Sequence, residues 1–148
     1  MLEITTEYVT ATVGGQLFGL PIGRVQDVFV LDRLTRVPLA AAEIAGVLNL
    51  RGRIVTAIDM RARLGLAPGE VGKRMAIGIE VKGESYGLLI DAIGEVMSLP
   101  TAGRECNPVN LEPRLARVSA GVHRLDERLL VVLDVDRVLD VGSLAEAA

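Results

Sequence analysis

Residues 44–66 read IAGVLNLRGRIVTAIDMRARLGL, and residues 119–141 read SAGVHRLDERLLVVLDVDRVLDV. Laid over each other at an offset of 75 (120 − 45), Ala45, Gly46, Val47, Leu50, Arg53, Asp59 and Leu64 meet Ala120, Gly121, Val122, Leu125, Arg128, Asp134 and Leu139. Ile54, Val55 and Ile58 meet Leu129, Leu130 and Leu133, so chemistry as well as hydrophobicity repeats. Within the stretch, two apolar runs flank Arg51-Gly52, a dipeptide suited to the tight turn of a hairpin. Asp59 then stands where its carboxylate can cap a short helix over 60–64, and Gly65 ends it. Strand, turn, strand, short helix is therefore the plan that returns in the second copy.

Upstream, residues 13–29 (VGGQLFGLPIGRVQDVF) have their own partner in residues 81–97 (VKGESYGLLIDAIGEVM), at an offset of 68 (81 − 13). Gly15/Gly83, Gly19/Gly87, Leu20/Leu88, Ile22/Ile90 and Val28/Val96 are identities, and Phe18/Tyr86, Val25/Ile93 and Asp27/Glu95 keep their type. The change of offset from 68 to 75 places seven extra residues in 98–119, a stretch rich in Pro, Asn and Gly. The chain is two copies of one small unit, roughly 7–66 and 73–141, within a single domain spanning 1–148. Whether each copy closes on itself or the two exchange a strand is open at this point.

Each copy offers about five short strands. In the first, 8–13 and 16–20 flank Gly14-Gly15, a pair that supplies the positive φ of a two-residue hairpin. Pro21 has no backbone donor and falls at the second strand's end. Residues 25–31 are a third strand whose inward face is either Val28 and Val30 or Phe29 and Leu31, since both sets are apolar. A loop over 32–42 precedes the two strands around Arg51-Gly52, and 67–70 link the copies. Five short strands fit a small closed barrel, in which curling the sheet removes exposed edges.

A chain of 148 residues buries roughly 70% of its unfolded surface and needs neither disulfide nor metal. Half the residues are apolar but only 3% aromatic, so Val, Ile, Leu and Ala build the core. A net charge of −3 gives nucleic acid and acidic lipid no basic face to meet. The few rings, Tyr8, Phe18, Phe29 and Tyr86, make no stacking platform, and Phe18 and Tyr86 share one repeat position, which reads as core. One cysteine, no export signal and no apolar run near ~18 residues point to a cytoplasmic protein that is not inserted in a membrane.

Candidate chemistry is thin. His123 is the sole histidine and lacks a nucleophile or orienting group at a suggestive spacing, so it reads as a strand-face residue. Cys106 lies among Asn107, Pro108 and Asn110 and reads as an exposed loop thiol. Of Asp134, Asp136 and Asp140 only the last two share a helical face, and no calcium-loop pattern accompanies them. No catalytic constellation, cofactor motif or metal site is expected. Arg61 and Arg63, two apart on a helix, read as a solvated pair. Arg51 differs: it sits at a hairpin apex, and the second copy replaces Arg51-Gly52 by Asp126-Glu127, which marks a task that only one copy performs. Asp27 could supply its partner.

The run Gly46-Val47-Leu48-Asn49-Leu50-Arg51-Gly52, followed by Ile58-Asp59-Met60-Arg61 and later by Gly87-Leu88-Leu89-Ile90-Asp91, Glu95-Val96 and Leu125-Asp126, resembles the CheW family of chemotaxis coupling proteins. The likeness runs in order over about 8–141. It implies an all-β fold with short helices: two tandem SH3-like five-stranded β-barrels packed together. It implies a non-catalytic adaptor that binds the cytoplasmic tip of chemoreceptors and the regulatory domain of a CheA-type histidine kinase, and so sits at receptor arrays on the inner membrane. Carried over residue by residue, the receptor-binding groove comprises Val25, Asp27, Gly46, Asn49, Arg51 and Gly52, with Asp27 and Arg51 matching a charged pair of the family. Asp27 stands where many members have Glu, and Ala41 or Ala42 where the loop usually carries proline. The chain has no long extension, so no receiver or kinase module is expected on it.

Overall fold

The computed structural model describes residues 3–31, 33–69 and 74–140. Asp32, Glu70, Lys73 and Val141, which begin the first loop, end the linker and bound the second copy in the sequence reading, lie outside the described residues. Ten strands appear in order: β1 (Thr5–Val13), β2 (Gln16–Pro21), β3 (Val25–Leu31), β4 (Ile44–Leu50), β5 (Arg53–Asp59), β6 (Arg74–Val81), β7 (Glu84–Ile90), β8 (Ala92–Pro100), β9 (Ser119–Arg124) and β10 (Leu129–Leu133). Short helices α1 (Met60–Arg63), α2 (Pro113–Val118) and α3 (Val135–Leu139) interrupt them. The fold is mostly β, with two five-stranded sheets that fit SH3-like barrels.

Three of the four hairpins turn on residues with positive φ. Gly14 and Gly15 sit at φ 58° and 81°, Arg51 and Gly52 at 53° and 84°, Lys82 and Gly83 at 51° and 81°. In each case both turn residues are left-handed, the geometry whose twist matches that of the flanking strands. Asp59 caps α1 as expected, its carboxylate accepting from the Arg61 and Ala62 amides, and Asp134 caps α3 through the Arg137 amide.

Strand pairing crosses the copies. One sheet runs β8-β1-β2-β10-β9 and the other β3-β6-β7-β5-β4. The leading hairpin of each copy, β1–β2 or β6–β7, thus sits among the last three strands of the other. The parallel seam Leu130↔Leu17, Val131↔Phe18, Val132↔Gly19 is the repeat image of Val55↔Ser85, Thr56↔Tyr86, Ala57↔Gly87. We call the β1-containing sheet barrel A and the β3-containing sheet barrel B.

The pleat sorts the core into three parts. Tyr8, Leu17, Leu130 and Val132 fill barrel A, and Leu31, Ala57, Ala76 and Leu89 fill barrel B. The alternate residues, among them Val9, Ala11, Phe18, Leu20, Ile58, Ile77, Ile79, Leu88 and Val131, form the larger core shared by the two barrels. In β3, Leu31 is buried and Phe29 half-buried, while Val28 and Val30 are 39% and 50% exposed, which decides the face that alternation left open.

The same bulge recurs in β4 and β9. Gly46 and Gly121 have φ of 152° and 140°, and the register against β5 and β10 slips beside each. Added Cβ atoms would strike the Thr35 carbonyl oxygen and, at 2.8 Å, the Glu105 carbonyl oxygen. Those loop residues bridge to Val47 and Val122 through paired backbone bonds of 2.8–2.9 Å.

Within 98–119, β8 continues to Pro100, and α2 starts at Pro113, where a missing N–H costs a helix nothing, with Glu112 accepting from the Arg114 and Leu115 amides. One expectation is corrected. Arg61 and Arg63 are not merely solvated. Arg61 grips Asp91 with two bonds of 2.7 and 2.8 Å, and Arg63 donates to the Val138 and Arg137 carbonyls at 3.1 and 3.0 Å, capping α3 of the other copy. Partners 30 and more residues away escape any reading based on helical spacing.

Candidate functional site

The six groove residues all belong to barrel B. Val25 and Asp27 lie half-buried at the start of β3, Gly46 is buried in β4, Asn49 is exposed near its end, and Arg51 and Gly52 form the exposed turn into β5. The turn is held from within, because Asn49 Oδ1 accepts from the Gly52 amide at 2.9 Å.

A side-chain relay ties the hairpin to β3. Arg53 Nη1 donates to Gln26 Oε1 at 3.5 Å, and Gln26 Nε2 donates to Glu80 Oε2 on β6 at 2.6 Å. Gln26 is the odd residue of a bulge, since Val25 pairs with Ile79 and Asp27 with Gly78. Sequence reasoning missed Gln26, Glu80 and Gly78. Nothing local in the sequence pointed to these links.

Asp27 does not reach Arg51. Among the described residues no ion pair or hydrogen bond engages either side chain, and Asp27 Oδ1 instead lies over Gly78, so that a Cβ there would collide with it. On the opposite face of β3 from Asp27, Val28 is 39% exposed, and Ile54 of β5 is 65% exposed. The two charged side chains thus stand apart on barrel B, Asp27 half-buried and Arg51 exposed.

Several other polar groups are mutually occupied. Arg61 and the amide of Gly14 hold Asp91, and the Arg61 bonds draw its pKa below the usual carboxylate value against an opposing effect of burial. Arg74 stands 3.6 Å from Asp59, and these two pairs line a cavity of about 320 Å³ with Gly69, Leu89 and Ile90. His123 is buried in β9 with its ring edge-on to Tyr8, Nε2 lying 3.4 Å from the phenolic oxygen. Burial, with help from Arg104, lowers its pKa, while Glu105 opposes. Cys106 is exposed.

Against known proteins, a family model described as CheW-like domain matches residues 7–142. The chain belongs to the CheW-like family. A chemotaxis protein CheW of Rhizobium meliloti is 30% identical over 138 residues, covering 89% of this chain and 86% of that protein. The CheW of Thermotoga maritima is 24% identical over 140 residues, covering 95% and 91%. Among solved structures, the scaffolding protein TtCheW of Thermoanaerobacter tengcongensis superposes with a TM-score of 0.84 at 25% identity, over 94% of this chain and 95% of that one. The family is one of chemotaxis scaffolds and adaptors. Among the described residues no helix is long and apolar enough to cross a membrane.

Proposed function

We propose that this chain is a non-catalytic cytoplasmic adaptor that couples methyl-accepting chemoreceptors to a CheA-type histidine kinase. What supports it most is a CheW-like match over residues 7–142, with a carboxylate and a guanidinium at the carried-over groove positions that, among the described residues, pair with nothing. A receptor's helical hairpin tip lays its apolar side chains on barrel B, and a second surface meets the regulatory domain of the kinase. Coupling then arises from assembly: each partner binds one arrangement of the other more tightly, so populations shift without bond-making. The protein is recruited to receptor arrays at the inner membrane by these contacts.

The test is reconstitution of receptor tip, kinase and this chain, with kinase autophosphorylation as the readout. Receptor-dependent stimulation should require the chain and should survive His123→Gln and Cys106→Ser. Absence of stimulation, or its loss in a folded His123→Gln protein, would overturn the adaptor reading.

A further inference from the structure

We infer that barrel A carries an acid-sensitive latch: protonation of His123 releases the 101–105 segment from β9. This concerns the chain by itself and does not rest on what the chain binds.

The two barrels differ at one matched pair of interior places. At the offset of 75 (123 − 48) His123 of β9 corresponds to Leu48 of β4, and at the offset of 68 (76 − 8) Tyr8 of β1 corresponds to Ala76 of β6. The registers agree, since His123 pairs with Leu130 as Leu48 does with Val55, and Tyr8 with Pro21 as Ala76 does with Leu89. Barrel B fills the place with aliphatic side chains, so packing in this fold does not call for an imidazole there.

The His123 side chain is enclosed, the residue being 4% exposed. Its Nε2 lies 3.4 Å from the Tyr8 phenol, a partner that donates to a bare ring nitrogen or accepts from an N–H. Its Nδ1 faces Gly103, where an added Cβ would stand 3.6 Å away. The neighbouring charges are Arg104 and Glu105, and the Glu105 carboxylate is already engaged by Arg124 of β9 at 3.1 Å. From β2, β8 and β10 the interior of barrel A adds apolar side chains, Leu17, Met97, Leu99, Leu130 and Val132. A proton on this imidazole therefore buries a charge with two N–H donors, for which, among the described residues, the phenol is the one hydrogen-bond partner.

The segment beside Nδ1 is weakly held. Residues 101–106 are exposed, and Glu105 joins β9 through two backbone bonds with Val122, of 2.8 and 2.9 Å. Exposed segments with few buried contacts open at a cost well below that of global unfolding. Burial keeps the closed form's imidazole below its usual pKa. The closed form is therefore favoured while the ring is neutral and loses ground as pH falls below the ordinary histidine value, because lifting the segment lets water solvate the charge.

Hydrogen exchange of the Glu105 and Val122 amides, read by NMR between about pH 7 and pH 5 as protection relative to an unstructured chain, tests the latch. In the wild type, protection should fall roughly three- to tenfold over that range. Exchange at these amides should also ignore low urea, since local opening exposes little surface, whereas the Val131 amide of buried β10 should respond as global unfolding does. His123→Leu, which installs the residue of barrel B, should flatten the pH profile. If that variant fails to fold, His123→Gln, neutral at every pH, should flatten it instead. A wild-type profile that matches the neutral variant overturns the latch. Glu105 exchange that rises with urea as steeply as that of Val131 also overturns it, because the opening is then of the whole fold, and this comparison needs no variant.

Discussion

Replacing Gly46 or Gly121 by alanine should cost the protein several kcal/mol, and by nearly the same amount at the two sites. Their φ values of 152° and 140° fall in the region that only glycine enters freely, so a side chain there costs about 1–3 kcal/mol. The new Cβ also meets the carbonyl of Thr35 in one case and of Glu105 in the other. Relief means moving the loop residue whose N–H and C=O pair with Val47 or Val122 at 2.8–2.9 Å. Two lost bonds at about 1 kcal/mol each bring the total to roughly 3–5 kcal/mol. Urea unfolding followed by far-ultraviolet circular dichroism reads this directly. With a slope of about 1–3 kcal/mol per molar, the midpoint should fall by roughly 1–5 M in both variants with the slope unchanged. Because one core spans both barrels, each variant should still unfold in a single transition. A silent Gly121→Ala beside a crippling Gly46→Ala would refute the claim that the two bulges do the same work.

Two pH effects follow from buried or paired groups. Asp91 titrates lower folded than unfolded, so its pair with Arg61 adds stability above the ordinary aspartate range and loses it as pH falls through the folded value. Asp91→Asn should therefore destabilise at neutral pH, by about 1 kcal/mol for a partly exposed bidentate pair, and converge on wild type in thermal melts as pH falls through the lowered folded value. His123 is also lowered in the fold, so folding favours its neutral form: its contribution is complete above the ordinary histidine value and declines as pH drops below it. Wild-type melting temperature should fall between about pH 7 and pH 5 by more than that of His123→Gln, and parallel curves would show that His123 carries no such linkage.

The duplication, the hairpins with two left-handed residues and the capping aspartates were all readable before any coordinates, because each rests on neighbours in the chain. The exchange of hairpins was not. Leu17 and Phe18 alternate between inside and outside whether they pair with β5 or with β10, so the two topologies write the same pattern. Arg61 and Arg63 were misjudged for a related reason: the helix sets where they point, but Asp91 and the end of α3 are brought to them by the fold. At the groove, position alone named Asp27 and Arg51. That they stand apart depends on the empty space over Gly78, which a glycine in a strand announces only as some close approach.

The crossed pairing also imposes a timetable on synthesis. Barrel B needs no strand beyond β7 and can close once Ile90 has left the ribosome, but the hairpin β1–β2, made first, must await β10. Leu17 pairs with Leu130, 113 residues later (130 − 17). At about 5–20 residues per second that is a delay on the order of 6–20 s. Throughout it, the β2 side that will receive β10 offers unpaired amides and a row of apolar side chains to whatever else is nearby. The barrel whose strands begin the chain is the last to be finished.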